Sequence, residues 1–115
     1  MVPGVYNYES QYRGDSLDEI EFAIINDDTG LPIPLTGATL KCQFRKPFNG
    51  STVLEITDGS GITVTSAVNG MFVIDTFLIG WDAGLYVYDV EVTFGDGTVR
   101  TYVRGTLNLI SDSTI

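Results

Sequence analysis

The sequence contains no histidine and a single cysteine, Cys42, among its 115 residues. Without histidine, the chain lacks the usual proton shuttle near neutral pH, triads of the Ser-His-Asp and Cys-His kinds, and histidine-ligated metals. One cysteine forms no internal disulfide and no thiolate metal cluster. These absences exclude many enzyme classes and predict a fold that packing alone holds together.

Basic residues are also scarce, because six Lys and Arg stand against fifteen Asp and Glu, for a net charge of -9. This charge repels polyphosphate and anionic membrane surfaces, so it predicts no nucleic acid and no membrane among the partners. No run approaches the roughly 20 apolar residues that cross a bilayer, and residues 1–14 lack the pattern of a signal peptide. We therefore expect synthesis and folding in a reducing cytoplasm.

Thirteen glycines separate stretches that are rich in Val, Ile, Thr, Tyr and Phe, and the polarity of these stretches alternates as in half-buried strands. The clearest examples are residues 18–26 and 38–46. The spacing predicts an all-β fold, an immunoglobulin-like antiparallel β-sandwich of about seven to nine strands with no disulfide. Residues 1–115 are expected to form this single domain, with 1–7 and 111–115 as loose ends or assembly contacts.

The last two long segments, residues 85–94 and 98–110, predict a β-hairpin. A two-residue type I′ turn at Asp96 and Gly97 places apolar side chains on one face and opposite charges across the strands on the other. A three-residue turn keeps this pattern only if a bulge compensates for it. The pairs that the two-residue turn opposes are Phe94 with Val99, Val90 with Val103, Tyr88 with Gly105, Tyr86 with Leu107, and Asp89 with Arg104.

Asp82, Gly84 and Tyr86 precede the penultimate strand at the spacing of a tyrosine corner. In that motif the phenol hydroxyl bonds back to the backbone and pins a crossover between two sheets. Tyr88 then stands where an antibody domain carries its second cysteine. An aromatic ring is therefore expected to fill the core in place of a disulfide.

Two aromatic groups are candidates for an interaction surface, because Tyr and Trp bury large areas while keeping a polar atom for hydrogen bonding. The first group shares one face of the first predicted strand, where a core position is an equally good interpretation. The second group precedes the tyrosine corner, where it also fits a cap over the open end of a sandwich. The candidate interface residues are Tyr6, Tyr8 and Tyr12 in the first group, and Phe77, Leu78, Ile79 and Trp81 in the second.

Several acids fall in predicted turns, among them Asp27, Asp28 and Asp58, and calcium loops use such carboxylates. None has the EF-hand spacing, and tight turns need the same residue types for their own geometry. A glycoside hydrolase requires two carboxylates that face one cleft, and a sandwich with short loops offers no such cleft. We therefore predict that the protein is not an enzyme, with no catalytic residue, no cofactor and no metal site.

Three segments complete the pattern. Residues 14–16 read Gly-Asp-Ser, residues 31–39 read Leu-Pro-Ile-Pro-Leu-Thr-Gly-Ala-Thr, and residues 84–90 read Gly-Leu-Tyr-Val-Tyr-Asp-Val. In these features, and over about residues 13–110, the chain resembles the immunoglobulin-like N-terminal domain of the baseplate upper protein of tailed bacteriophages, and related small tail-associated proteins.

The resemblance implies a non-enzymatic structural component of a tailed bacteriophage particle, in the tail or baseplate or as an accessory subunit. Its implied partners are other phage structural proteins and symmetric copies of itself, and its implied location is the virion, after assembly in the host cytoplasm. The sequence ends without the coiled coil or second domain of longer members, so their linker role is not expected. The alternative is a small binding module for carbohydrate or for a host surface protein, since sandwiches present loops or aromatic platforms at one end.

Overall fold

The computed structural model describes residues 4–12, 14–47 and 50–110. These residues form eleven β-strands and no helix, and therefore no helix that could cross a membrane. The all-β prediction is confirmed. In chain order the strands are β1 (Gly4–Val5), β2 (Gln11–Tyr12), β3 (Ser16–Leu17), β4 (Ile20–Ala23), β5 (Thr39–Arg45), β6 (Thr52–Asp58), β7 (Gly61–Ser66), β8 (Met71–Ile74), β9 (Phe77–Leu78), β10 (Gly84–Thr93) and β11 (Val99–Ile110).

Nine strands form one curled sheet in the order β1, β11, β10, β5, β6, β7, β8, β4, with β2 also paired to β11. The remaining two, β3 and β9, form a small separate sheet. The expected antiparallel arrangement is wrong in part, because β1 and β2 pair with β11 in parallel and β6 pairs with β7 in parallel. The strand number exceeds seven to nine because β1, β2, β3 and β9 are fragments of two residues each.

The parallel pairing between β6 and β7 marks a corner of the chain. Thr57 and Ser60 exchange two backbone hydrogen bonds there, of 3.0 and 2.8 Å. Gly61 has a φ of 102°, and a Cβ at this position would lie 2.6 Å from Cγ2 of Ile56. Only glycine therefore makes this corner without displacing a core side chain. The corner redirects the chain so that β7, β8 and β4 contribute to the same hydrophobic core as β5, β10 and β11.

The core is apolar, and the described part of the chain contains no buried charged side chain. Cys42 is a buried free thiol within it, and burial raises its pKa to about 12. The thiol is therefore neutral near pH 7. The largest fully buried side chains are Tyr88, Phe44, Phe72, Leu40, Ile62, Ile74, Ile79 and Leu107.

The β10–β11 hairpin has the predicted register from its open end to its middle. Tyr88 opposes Gly105, and Asp89 opposes Arg104. The ion pair expected between Asp89 and Arg104 is replaced, because Arg45 of β5 donates to Oδ2 of Asp89 at 2.8 Å. The central strand β10 has neighbours on both sides, and its acids Asp89 and Glu91 form ion pairs with Arg45 and Lys41 of β5.

The hairpin turn differs from the predicted two-residue turn of Asp96 and Gly97. The N–H of Phe94 donates to the carbonyl of Thr98 at 2.8 Å, so the residue before Asp96 joins a three-residue loop. Gly97, with a φ of 89°, supplies the left-handed residue that ends such a loop. A bulge next to Val90 absorbs the extra residue, so the predicted pairs hold from Val90 to the open end of the hairpin, whereas Val99 opposes Thr93 and not Phe94 as predicted. The N–H of Thr98 also donates to Oδ1 of Asp96 at 2.8 Å, which lowers the pKa of that carboxyl.

Candidate functional site

One continuous chain of rings joins members of the two predicted aromatic groups. The ring centroid of Tyr8 lies 5.2 Å from that of Tyr88 and 6.4 Å from that of Phe44. Phe44 in turn lies 5.6 Å from Phe77 and 5.4 Å from Trp81. Aromatic pairs of this kind contribute about 0.5–1.5 kcal/mol each beyond the area that they bury. The chain of rings thus connects the first strand of the fold with the segment before β10.

The seven candidate interface residues divide between this core and the surface. Four of them are half-buried or buried and pack against the hydrophobic core. The other three have exposed side chains: Tyr6 is 38% exposed, Tyr12 is 45% exposed and Leu78 is 68% exposed. The exposed residues are Tyr6, Tyr12 and Leu78, and the half-buried or buried residues are Tyr8, Phe77, Ile79 and Trp81.

The tyrosine-corner residues lie together at the start of β10. The hydroxyl of Tyr86 donates to the carbonyl of Asp82 at 2.6 Å, which is the bond that defines such a corner. Gly84 begins β10 with a φ of 147°. The ring of Tyr86 also lies 5.2 Å from that of Trp81. The corner therefore fixes the end of the ring chain nearest β10.

The other end of the chain of rings packs against residues 4–12, which we call the edge segment, through the ring of Tyr8. Gly105 makes this possible, since a Cβ there would overlap the backbone carbonyl of Tyr6. The hydroxyl of Tyr88 donates to that same carbonyl at 2.6 Å. The expectation of a loose end over residues 1–7 thus differs from the structure for residues 4–7, whereas residues 1–3 and 111–115 lie outside the described residues.

The hydroxyl of Tyr8, in contrast, is buried without a hydrogen-bond partner among the described residues. Burial raises the pKa of both Tyr8 and Tyr88 above the ordinary range of tyrosine, because it disfavours the charged phenolate. Both side chains are therefore neutral near pH 7. Neither is placed to act as a base.

A groove separates the edge segment from β4. The wider part of this groove has a volume of about 590 Å³, and its lining includes the consecutive residues 4–6 and 20–25. Consecutive side chains point to opposite faces of a strand, so lining by consecutive residues means that strand edges form the walls. In the part of the chain that the structure describes, β1 pairs only with β11 and β4 only with β8. Both walls therefore present backbone groups that no neighbouring strand covers.

The groove continues into a narrower part of about 220 Å³, which is lined by residues between 6 and 11 and by residues 17–20. Both parts include Tyr6 and Ile20. Residues 4–11 and 17–27 thus face each other in opposite chain directions along one groove, which we call the seam. Near its middle, the rings of Tyr6 and Phe22 lie 5.8 Å apart, edge to face. The walls are close enough for their side chains to touch, although their backbones do not pair.

The seam combines exposed apolar side chains with negative charge. Val5 is 61% exposed and Ile25 is 50% exposed. The described lining residues include no Lys or Arg. No group of three or more acids among the described residues could hold a metal ion, so the carboxylates are spread along the seam. The acids that line it are Glu9, Asp18, Glu19, Glu21 and Asp27, a third of the fifteen in the chain.

Comparison with known proteins adds no family to this geometry. No protein-family model matches the sequence, and no curated protein is significantly similar to it. The functional assignment therefore depends on the seam itself. Sequence reasoning predicted the strand over residues 18–26 but did not single out its outer edge, because alternation identifies the faces of a strand and not its neighbours.

Proposed function

We propose that the protein is a non-enzymatic structural component of a tailed bacteriophage particle, in the tail or baseplate or as an accessory virion subunit. It acts through contacts with other phage structural proteins and with copies of itself. The observation that carries this proposal is the seam, since unpaired strand edges on both sides of an apolar groove suit another polypeptide. The resemblance over about residues 13–110 supports the same conclusion.

The proposal includes an immunoglobulin-like sandwich as the underlying architecture. In this view the curled sheet consists of two layers that are joined at the β6–β7 corner and open along the seam. The hydrogen bond from Tyr86 to Asp82 supports this assignment, because it joins the residues of a tyrosine corner. Tyr88 supports it as well, since its buried ring replaces a disulfide between layers.

Carbohydrate binding has less support. A sugar-binding platform needs an aromatic ring with an open face, and Trp81 is the strongest candidate in the sequence. Its ring packs against three others, with centroid distances of 5.4 Å to Phe44, 5.9 Å to Phe77 and 5.2 Å to Tyr86. These contacts favour a role of Trp81 in the core.

The composition of purified particles tests the proposed function. We expect mass spectrometry of phage particles, purified from the natural source, to find the protein at a fixed ratio to a major tail protein. Cryo-electron microscopy should place the domain in repeated, symmetry-related copies. Particles that lack the protein, purified from cells in which it is abundant, contradict the proposal.

A further inference from the structure

We infer that the seam binds an extended strand of a neighbouring protein in which Lys or Arg alternates with apolar residues, and that this strand pairs with the edge segment and β4. The inference rests on the proposed function, since it names the partner chemistry of the same surface. Strand addition to an exposed sheet edge is an established mode of peptide recognition, in which backbone bonds provide affinity and side-chain pockets provide specificity.

The backbone of β4 is oriented for such pairing. The N–H of Ile24 donates to the carbonyl of Gly70 at 3.0 Å, toward the side of β8. Hydrogen-bonding groups alternate between the two sides of an antiparallel strand, so those of Glu21 and Ala23 point into the seam. The edge segment forms the other wall in the opposite direction. An inserted strand therefore runs parallel to one wall and antiparallel to the other.

The length of the seam suits a short strand. Residues 4–11 extend over about 26 Å at the rise of a β-strand, which accommodates a segment of about eight residues. The contact between the rings of Tyr6 and Phe22 limits how far apart the walls stand. The half-buried side chains of Ile20 and Phe22, with the ring of Tyr6, provide the inward surface that alternate apolar residues of the partner would cover.

The charge of the seam selects a basic partner. Its five carboxylates have no Lys or Arg beside them among the described lining residues. A second copy of this chain brings a net charge of -9 and the same acidic edge, so pairing of two seams sets like charges against each other. By alternation, Val5 and Ile25 lie on the exposed face of the walls together with Glu21, so a strand with Lys or Arg at alternate positions places its cations over this face and turns its apolar residues inward to Tyr6 and Phe22.

A synthetic peptide of about eight residues that alternates lysine and valine is the probe. Titration into the isotope-labelled protein is followed by NMR, with Kd obtained from the amide shifts. We expect shifts at residues 4–11 and 17–27, and slower hydrogen exchange at the amides of Glu21 and Ala23. A peptide with glutamate in place of lysine should not bind. A lysine peptide with proline at its central valines should bind about ten-fold more weakly, because proline removes strand donors.

A matched pair of variants places the site. Val5→Lys adds a cation to the seam and should weaken binding by about ten-fold, whereas Val99→Lys, at a 46% exposed valine of β11 outside the seam, should change it less than about two-fold. Thermal unfolding checks that both variants fold. If Val5→Lys does not fold, Glu19→Gln removes one seam charge instead and should weaken binding by about two-fold.

Four results would overturn the inference: no binding, equal binding of the lysine and glutamate peptides, shifts outside the seam, or equal loss in Val5→Lys and Val99→Lys. Sedimentation provides a fifth, since a wild-type dimer that Val5→Lys dissociates makes a second copy the occupant. Failure of the proposed function is separable. If phage particles contain the protein but the lysine peptide does not bind, only the inference about the seam is contradicted. If the lysine peptide binds but the particles lack the protein, the inference is supported and the assignment to a phage particle is contradicted.

Discussion

The centre of the sheet and its two outer strands follow different rules. The central strand β10 has ten residues, and a buried side chain alternates with a half-buried one from Tyr86 onward. The outer strands are short, with four residues in β4 and two in β1, and neither contains a fully buried residue. Length and burial at the centre fix one register, whereas the short outer strands leave their far edges open.

Charge follows the same division. At the centre, Arg45 lies 2.8 Å from Asp89 and Lys41 lies 3.9 Å from Glu91. At the seam, acids line the groove without a basic side chain among the described lining residues. Acids at the centre thus pair with basic side chains, whereas Glu21 of β4 accepts a hydrogen bond from the hydroxyl of Thr65 at 3.4 Å and has no basic side chain beside it among the described lining residues.

The largest expected effect is the difference in stability lost when a side chain is removed from the centre of the sheet or from its edge. Phe44→Ala removes a fully buried ring that contacts Tyr8, Tyr88, Phe77 and Trp81. We expect a loss of about 3–5 kcal/mol in the free energy of unfolding, measured by urea denaturation. Val5→Ala at the seam should change it by less than about 0.5 kcal/mol. Equal losses in the two variants contradict the division between centre and edge.

The second prediction detaches the edge segment and leaves the centre intact. Gly105→Ala places a Cβ where the carbonyl of Tyr6 lies and breaks its bond with Tyr88, at an expected cost of about 1–3 kcal/mol. Hydrogen exchange at the amides of residues 6–8 should accelerate much more than exchange in β10. The control is Gly80→Ala, because a Cβ there meets no atom within 4 Å. Uniform acceleration over both regions would show that the edge segment is not a separate unit.

The third prediction compares two tyrosines that differ in their hydroxyl partners. Tyr88→Phe removes the bond to the carbonyl of Tyr6 and should cost about 1–2 kcal/mol. Tyr8→Phe removes a buried hydroxyl that has no partner among the described residues, so it should leave the stability unchanged or raise it by up to about 1 kcal/mol. Urea denaturation measures both. A larger loss in Tyr8→Phe than in Tyr88→Phe would mean that the hydroxyl of Tyr8 has a partner.

The smallest effect depends on pH. Burial raises the pKa of Cys42 from its ordinary value near 9 to about 12, so only the unfolded chain ionises its thiol between these values. The stabilising contribution is complete below pH 9 and declines above it, by about 1 kcal/mol at pH 10. Cys42→Ala should show a smaller decline in urea denaturation between pH 8 and 10, and the part that remains near pH 10 comes from Tyr8 and Tyr88, whose pKa values burial also raises. A wild-type stability that is constant over this range would place the thiol in contact with solvent.

The sequence pattern predicts the centre of the fold well, because the information there is local. Alternation and the charges of residues 85–110 are sufficient to oppose Tyr88 to Gly105 and Asp89 to Arg104. The three-residue turn is missed because one bulge restores the predicted pairs beyond it, so the two solutions differ only between the bulge next to Val90 and the turn. A face pattern determines which residues of two strands pair only if no bulge is present, because a bulge shifts the pairing on one side of it by one residue.

The seam could not be predicted in the same way. The strand over residues 18–26 is evident from its alternation, yet its place at the end of the sheet depends on contacts with residues far along the chain. The parallel pairing of the edge segment depends on Gly105, where a side chain would overlap the carbonyl of Tyr6. In the sequence, this glycine cannot be distinguished from the other glycines of turns and strands. The sequence shows the two aromatic groups as candidates for an interface or for the core, but it does not show that they are joined, because the rings of Phe44 and Tyr88 that join them lie on distant strands.

The parallel pairing of the edge segment with β11 also constrains the order of events during synthesis. Residues 4–12 leave the ribosome first among the described residues, whereas β11 is the last strand, and the bond between Asn7 and Thr106 joins positions 99 residues apart. The edge segment therefore has no strand to pair with until almost the whole chain has emerged from the ribosome.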